Sequence, residues 1–294
     1  MRRRDFAAFA FAFAFAFALA LAGGALRAAS PPAQAPLVVR YPNINGMGPR
    51  GLGYRMLDLA LSGCGRAYRI ELLADAANPA RVRALLESGA ADVVDFGSTP
   101  EFEQRYAPIF LPIDRGLNGW RLLVIRRADR TAFEHVRSLD DLRRFVAGQG
   151  LGWPDAEILR HAGLSVETFP QLDSLFHSLE AGRFDYLPLG MDEAHDLMRR
   201  YASAPETLEV TPGIAIVYPF GRLFFTRKTD TMLHDLIDTG LRKAFANGRA
   251  QQLLLDDPGY AEAVKRGAPV LKLRIDNPDL SAEFRAIPQA YFLR

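Results

Sequence analysis

"LESGAADVVDFG" (residues 86–97) and "LEAGRFDYLPLG" (residues 179–190) follow one pattern: Leu-Glu-x-Gly-x-x-Asp, four residues, then glycine. In each, a helix ends on a glycine cap, Gly89 or Gly182, and passes tightly into a short apolar run. A second glycine, Gly97 or Gly190, stops that run. Two equivalent helix–strand units predict two similar α/β lobes rather than one wound sheet. The alternative is a chance likeness between two common helix-to-strand joints.

Around these units, short apolar runs alternate with helical patterns. The strand candidates are 37–41, 68–74, 92–96, 120–126, 184–188 and 214–218. Helical periodicity covers 51–63, 79–88, 138–147, 155–162, 171–181, 191–202, 229–246 and 248–255. The alternation predicts an α/β fold, each lobe a central, mostly parallel sheet flanked by helices. The last 35 residues read as irregular, with one short strand from Val270 to Ile275. Ligands of open α/β sheets sit beyond the carboxyl ends of the strands. Gly97-Ser98-Thr99 and Gly190-Met191-Asp192-Glu193 are therefore expected to face each other across a cleft between lobes.

The N-terminus has a basic start (Arg2, Arg3, Arg4), an apolar run from Phe6 to Ala22 and a small-residue exit. That is the build of a secretory signal peptide, assigned to residues 1–28, with cleavage after Ala25, Ala28 or Ala35. An uncleaved anchor is the alternative, and Arg3-Arg4 leaves the twin-arginine route open beside the general one. The formal charge is +2, and removing four arginines and one aspartate with residues 1–28 leaves 2 − 3 = −1. No basic nucleic-acid footprint remains. After residue 22 no apolar stretch reaches membrane-spanning length. The single cysteine, Cys64, allows neither an internal disulfide nor a thiolate zinc cluster, and reads as a small buried hydrophobe at a helix end.

One string points elsewhere. Gly46-Met47-Gly48-Pro49-Arg50-Gly51 matches G-x-G-x-x-G between a strand-like and a helix-like run. The spacer Pro42-Asn43-Ile44-Asn45 is too long for the tight turn of a dinucleotide fingerprint, and Pro49 removes an N–H that a pyrophosphate needs. The stretch reads as a loop over the cleft, with Asn43 and Asn45 as donors, and no cofactor is expected.

Taken with Leu85–Pro100, "PIDRGLNGWRLLVIRR" (112–127), "SLDDLRRFVAGQGLGWPDAEIL" (138–159), "LFHSLEAGRFDYLPLG" (175–190) and "IDNPDL" (275–280), the chain resembles the family-3 extracytoplasmic solute-binding proteins. These serve ABC transporters for amino acids and similar polar solutes. The resemblance runs from about Leu37 to Leu280. It implies the two-lobed type II periplasmic-binding-protein fold, with hinge crossings near Ile113–Arg121 and Gly213–Phe225. One lobe would be 36–115 plus 225–294, the other 116–224. Implied partners are a small polar solute, amino-acid-like or an organic acid, and an inner-membrane ABC permease. The implied state is a periplasmic monomer that binds no nucleic acid. Many amino-acid binders carry a threonine after the first lobe's strand and, three residues on, an arginine for the ligand carboxylate. Thr99 matches, but Phe102 stands at the arginine position. Closer relatives carry an arginine where this chain has Leu189. Asp192 or Glu193 would supply the acid for an α-amino group.

Several residues are candidates for ligand contact on their own chemistry. Trp153, before Pro154 and Asp155 at a helix start, suits stacking on a planar or cationic solute, or packing between lobes. The free N–H groups at that start suit an anionic group. Ser98 and Thr99 offer hydroxyls at a strand end, or cap the helix that follows, and Glu101 is a contact or a solvated first-turn acid. Arg121 could grip a carboxylate bidentately or bridge to a neighbouring acid. Tyr41 and Tyr218 stack on solute or join the core. Asp192, Glu193, His195 and Asp196 have no second histidine at zinc spacing, so no metal is expected. No nucleophile motif is present. A non-catalytic binding protein is the expectation. The rivals are a sensor module and a dehydratase-like enzyme using Glu101 with Glu193.

Overall fold

The computed structural model describes residues 35–293, so the signal segment assigned to 1–28 lies outside them. The first strand, β1 (Leu37–Ile44), alternates as its sequence demands, with Val39 and Tyr41 inward and Val38 and Arg40 outward. It pairs in parallel with β2 (Tyr68–Ala77). Helix Leu52–Ser62 connects them and buries Leu52, Met56, Leu57, Ala60 and Leu61, a single stripe at helical spacing. That stripe meets helix Thr231–Ala246 so closely that a Cβ on Gly240 would collide with the Ala60 carbonyl.

Two sheets follow from the remaining strands. β10 (Arg222–Arg227) lies between β3 (Val93–Gly97) and β4 (Tyr106–Ile109) and is antiparallel to both. β1 joins this first sheet through Asp92, whose N–H donates to the Arg40 carbonyl and whose carboxylate accepts from the Arg40 N–H. The second sheet runs β11-β9-β5-β8-β6-β7, with β5 Trp120–Arg126, β6 Val146–Gly150, β7 Ser165–Phe169, β8 Tyr186–Gly190, β9 Leu208–Val217 and β11 Leu271–Arg274.

The sheets depart from the mostly parallel expectation: the first is antiparallel through β10 and the second is mixed. β5 is antiparallel to β8 and β9, as β10 is to β3 and β4. The reason is the chain path. β5 and β10 are entered at the end where β8 and β3 finish, so Arg121 stands opposite Gly190 and Arg222 opposite Gly97.

The repeated string has one structural meaning in both sheets. Gly89 and Gly182 adopt φ of 74° and 71°, which lets each helix turn straight into its strand. Asp185 exchanges with Val146 the same pair of bonds that Asp92 exchanges with Arg40. Arg227, at the far end of β10, holds Asp92 and the Ala91 carbonyl; Arg126, at the far end of β5, holds Asp185 and the Phe184 carbonyl. Burial raises the Asp92 carboxyl, but the hydrogen bonds from Arg40 outweigh it and set its pKa below the ordinary value.

Several elements differ from the sequence expectation, and β4, β7 and β10 lie outside its strand candidates altogether. Helix 138–147 shrinks to Leu139–Leu142, closed by a Ser138/Asp141 capping box, and Val146 already belongs to β6. β6 reads poorly as a strand because two of its five residues are glycine; the Phe184 ring occupies the space a Cβ on Gly148 would need. Beyond residue 257 stands helix Pro258–Arg266, with Asp257 capping the Tyr260 N–H and Gly267 (φ 74°) ending it. β11, expected with the first lobe, pairs with β9 at the edge of the second sheet. Among the described residues no helix is long and apolar enough to cross a membrane.

Candidate functional site

A cavity of about 730 Å³ opens between the strand ends of the two sheets. Its first wall comes from β1, β3 and β10, its second from β5, helix Pro154–His161 and the turn after β8. Each wall presents an arginine and an aspartate, paired with each other and backed by a tyrosine hydroxyl that donates to the aspartate. In the first sheet the Tyr41 hydroxyl donates to Asp95, which pairs with Arg222. In the second the Tyr218 hydroxyl donates to Asp155, which pairs with Arg121, and Arg121 Nε donates to the same hydroxyl at 2.9 Å.

Arg121 is 2% exposed, Asp155 4% and Asp95 2%, whereas the Arg222 side chain keeps 25% of its surface open. Burial opposes charge on both arginines, but the adjacent aspartates outweigh it and raise both above their ordinary pKa. Both tyrosines are raised well above theirs, by burial first; the neighbouring carboxylate adds to this, and at Tyr218 the Arg121 charge opposes it without prevailing, so each stays a neutral donor.

Three further acids surround the triads. Asp114 is fully buried and accepts from the backbone N–H groups of Gly116, Asn118 and Arg222 at 3.1, 3.1 and 3.2 Å. Burial raises its pKa against those bonds and the Arg222 charge. Glu193 lies 3.5 Å from Arg121 Nη1 and accepts from the Gly190 N–H. Asp192 forms no ion pair among the described residues, although the Arg222 charge reaches it, and its Oδ1 is shut off from solvent with no hydrogen-bond partner. Burial, then the charges of Glu193 and Asp114, push its pKa up to about 7.

The structure brings Tyr41, Arg121, Trp153, Asp155, Asp192 and Glu193 to the cavity wall. Tyr218 is behind Arg121 rather than on the wall. Four candidates fall elsewhere. Asn43 locks its own loop, accepting from the Gly48 N–H at 2.8 Å and donating to Ala74. The glycine loop is thus held by Asn43 while Asn45, Gly48 and Gly51 reach the cavity. Ser98 bonds to Glu103, and Thr99 caps helix Pro100–Arg105 through the Phe102 N–H. Glu101 points to solvent with its side chain 76% exposed, 3.8 Å from Arg105. Its separation from the cavity dissolves the Glu101–Glu193 acid–base pair.

The arginine position of amino-acid binders is filled by core. Phe102 is buried against Phe96, Tyr106 and Phe225, and Leu189 is fully buried. Sequence reasoning missed Asp95, Asn118 and Arg222. Asp95 had a signal, a charge inside the apolar run of the first unit. Arg222 had a better one: "RLLVIR" (121–126) and "RLFFTR" (222–227) are a second repeated string, with arginines at both ends of β5 and β10. Among the described residues no cluster of metal-ligating side chains forms.

No family model and no curated protein matches the sequence. Solved structures do match. One is a substrate-binding protein of an amino acid ABC transporter, 13% identical, with a TM-score of 0.53 over 74% of this chain and 98% of that one. Another is an arginine transport-system periplasmic binding protein from Legionella pneumophila, 14% identical, TM-score 0.57, covering 75% and 99%. A third is a histidine kinase sensor domain similar to periplasmic binding proteins, 17% identical, TM-score 0.56, covering 77% and 97%. The mixed sheets, the cavity between them and these likenesses agree: the chain has the two-lobed type II periplasmic-binding-protein fold.

Proposed function

We propose that this protein captures a small polar solute in the cavity between its sheets and delivers it to a membrane ABC permease outside the cytoplasm. The supporting observation is a deep cavity whose walls carry buried, fully organised charged groups from both sheets. A polar pocket built from two bodies is the arrangement by which ligand binding stabilises a closed form. Function then lies in the open–closed equilibrium rather than in bond chemistry. In this reading residues 1–28 are removed on export. One lobe comprises 36–115 with 225–294 and the other 116–224, adjusted so that all of β10 joins the first and β11 the second.

The likeness to a histidine kinase sensor domain supports a second reading, in which closure is reported to a receptor instead of a permease. Native mass spectrometry of the purified protein, followed by a thermal-shift screen of polar solutes, tests capture itself. A ligand at about a hundred times its Kd adds ~2.7 kcal/mol of stability. If no solute of any class raises the melting temperature, capture is wrong. Loss of uptake of that solute in a deletion strain separates transport from sensing.

A further inference from the structure

We infer that the cavity holds an organic cation, carrying an ammonium or guanidinium group and no carboxylate. The inference rests on the capture reading and narrows its ligand class.

The buried cations are already used. Arg222 is committed to Asp95, and Arg121 to Asp155, Tyr218 and Glu193. Drawing either onto a ligand carboxylate would strand an aspartate that is at most 4% exposed, and an unpaired buried charge is costly. Of the arginines nearer the mouth, Arg199 and Arg200 pair with Asp196, and Arg266 with Glu262, while Arg50 is exposed. No committed site for an anion is left in the interior.

The acids, by contrast, are in surplus. Asp95, Asp155, Asp192 and Glu193 are four carboxyl groups of the inner cavity wall against the two guanidinium groups of Arg121 and Arg222, with Asp114 buried off the wall. The surplus has a location. Around the bare Cα of Gly190, Asn118 Nδ2, Asp192 Oδ1 and Glu193 Oε1 stand 2.7, 2.8 and 3.1 Å from the point a Cβ would occupy. Three polar atoms converge there because residue 190 has no side chain, and among them Asp192 Oδ1 is shut off from solvent without a partner. An N–H donor bearing positive charge satisfies that oxygen and removes the unpaired charge together. The Asn118 amide can turn its oxygen inward to accept a further hydrogen bond. Trp153 and Tyr54 line the same cavity as aromatic surface for a cation or its methylene chain, while the Phe220 ring already lies under the Arg121 guanidinium.

The test uses pairs of compounds that differ only in a carboxylate: agmatine and arginine, cadaverine and lysine, putrescine and ornithine. Isothermal titration of the purified protein is expected to show at least one amine binding about ten-fold or more tighter than its amino acid. That corresponds to one charge-assisted contact without the penalty of a misplaced carboxylate. Asp192→Asn is expected to fold, since it removes a buried unpaired charge, and to weaken that amine about ten-fold or more. Gly190→Ala, which fills the convergence point, should do the same. An amino acid binding as tightly as its amine in every pair overturns the inference, as does unchanged affinity in both variants. If none of these compounds binds while a dicarboxylate such as succinate does, the cation inference fails and solute capture stands. If nothing binds in the broad solute screen, both fail.

Discussion

Arg222 and Arg121 hold the same post in two different sheets, each opposite the glycine that ends a repeated strand and each bonded to a tyrosine-supported aspartate. Such a pair adds little when whole and costs much when halved. Arg121→Ala is therefore expected to destabilise the protein by about 3–5 kcal/mol in urea unfolding, because Asp155 is left buried and alone. The double variant Arg121→Ala/Asp155→Ala should lose clearly less than the sum of the single losses. Equal stability of Arg121→Ala and the parent would mean that the triad is not closed in solution.

Asp192 makes stability depend on pH in an unusual direction. Its folded pKa of about 7 lies above the ordinary ~3.9, so its contribution is intact at pH 4 and is lost as pH rises toward 7. At about 1.4 kcal/mol per unit the loss is at most about 4 kcal/mol. Asp192→Asn does not titrate there. Its stability relative to the parent should rise between pH 4.5 and 7.5, since Glu193, Asp114 and Arg222 are common to both proteins. A difference that stays constant over that range would remove Asp192 from the account.

Gly240 tests the helix contact beneath the first sheet. Alanine gains up to about 1 kcal/mol of helix propensity there. Against this, its Cβ meets the backbone of Ala60, which cannot turn aside as a side chain could. Overpacking of this kind costs about 1–3 kcal/mol or more, so a net loss in thermal unfolding is expected, with a lower melting temperature. An unchanged or higher melting temperature would show that the two helices separate freely.

Arg83 ties helix Pro79–Glu87 to the loop after β6. Its Nη2 donates to the Gly152 carbonyl at 2.8 Å while the guanidinium sits 4.8 Å from the Phe96 ring centre. This link exists only when the two sheets are close. Arg83→Ala is expected to remove about 0.5–1.5 kcal/mol from the closed form. The apparent Kd of any cavity ligand should then rise about two- to ten-fold, and X-ray scattering should show a larger radius for the free protein. Identical Kd and radius would deny the link a part in closure.

The sequence carried the fold through its repeats. Asp92 and Asp185 sit at matching places because each must tie its strand to a neighbour, a demand that leaves a visible spacing. β6 was lost because Gly148 and Gly150 make room for the Phe184 and Trp153 rings, and such close approach erases the apolar pattern that marks a strand. The site was half legible. Arg121, Asp155, Asp192 and Glu193 stood next to recognisable strand and helix ends. Ser98, Thr99 and Glu101 stood there too, but the local needs of helix Pro100–Arg105 claimed Thr99 and left Glu101 in solvent. Asp95 and Arg222 each left a mark in the sequence, but their meeting depends on sheet pairing between residues far apart in the chain, which neither mark shows.

The position of β10 also orders events in time. β3 and β4 are made early, yet they do not pair with each other; the strand that bridges them, Arg222–Arg227, arrives only after the whole run of β5 to β9. Until then the edges facing β10, with Asp95 among them, have neither ladder partners nor a counter-charge. Long-range closure of this kind slows folding and prolongs the exposure of unpaired edges. A ribosome-bound fragment ending near residue 215 should therefore hold the first sheet open and protease-sensitive, and a few dozen more residues should close it.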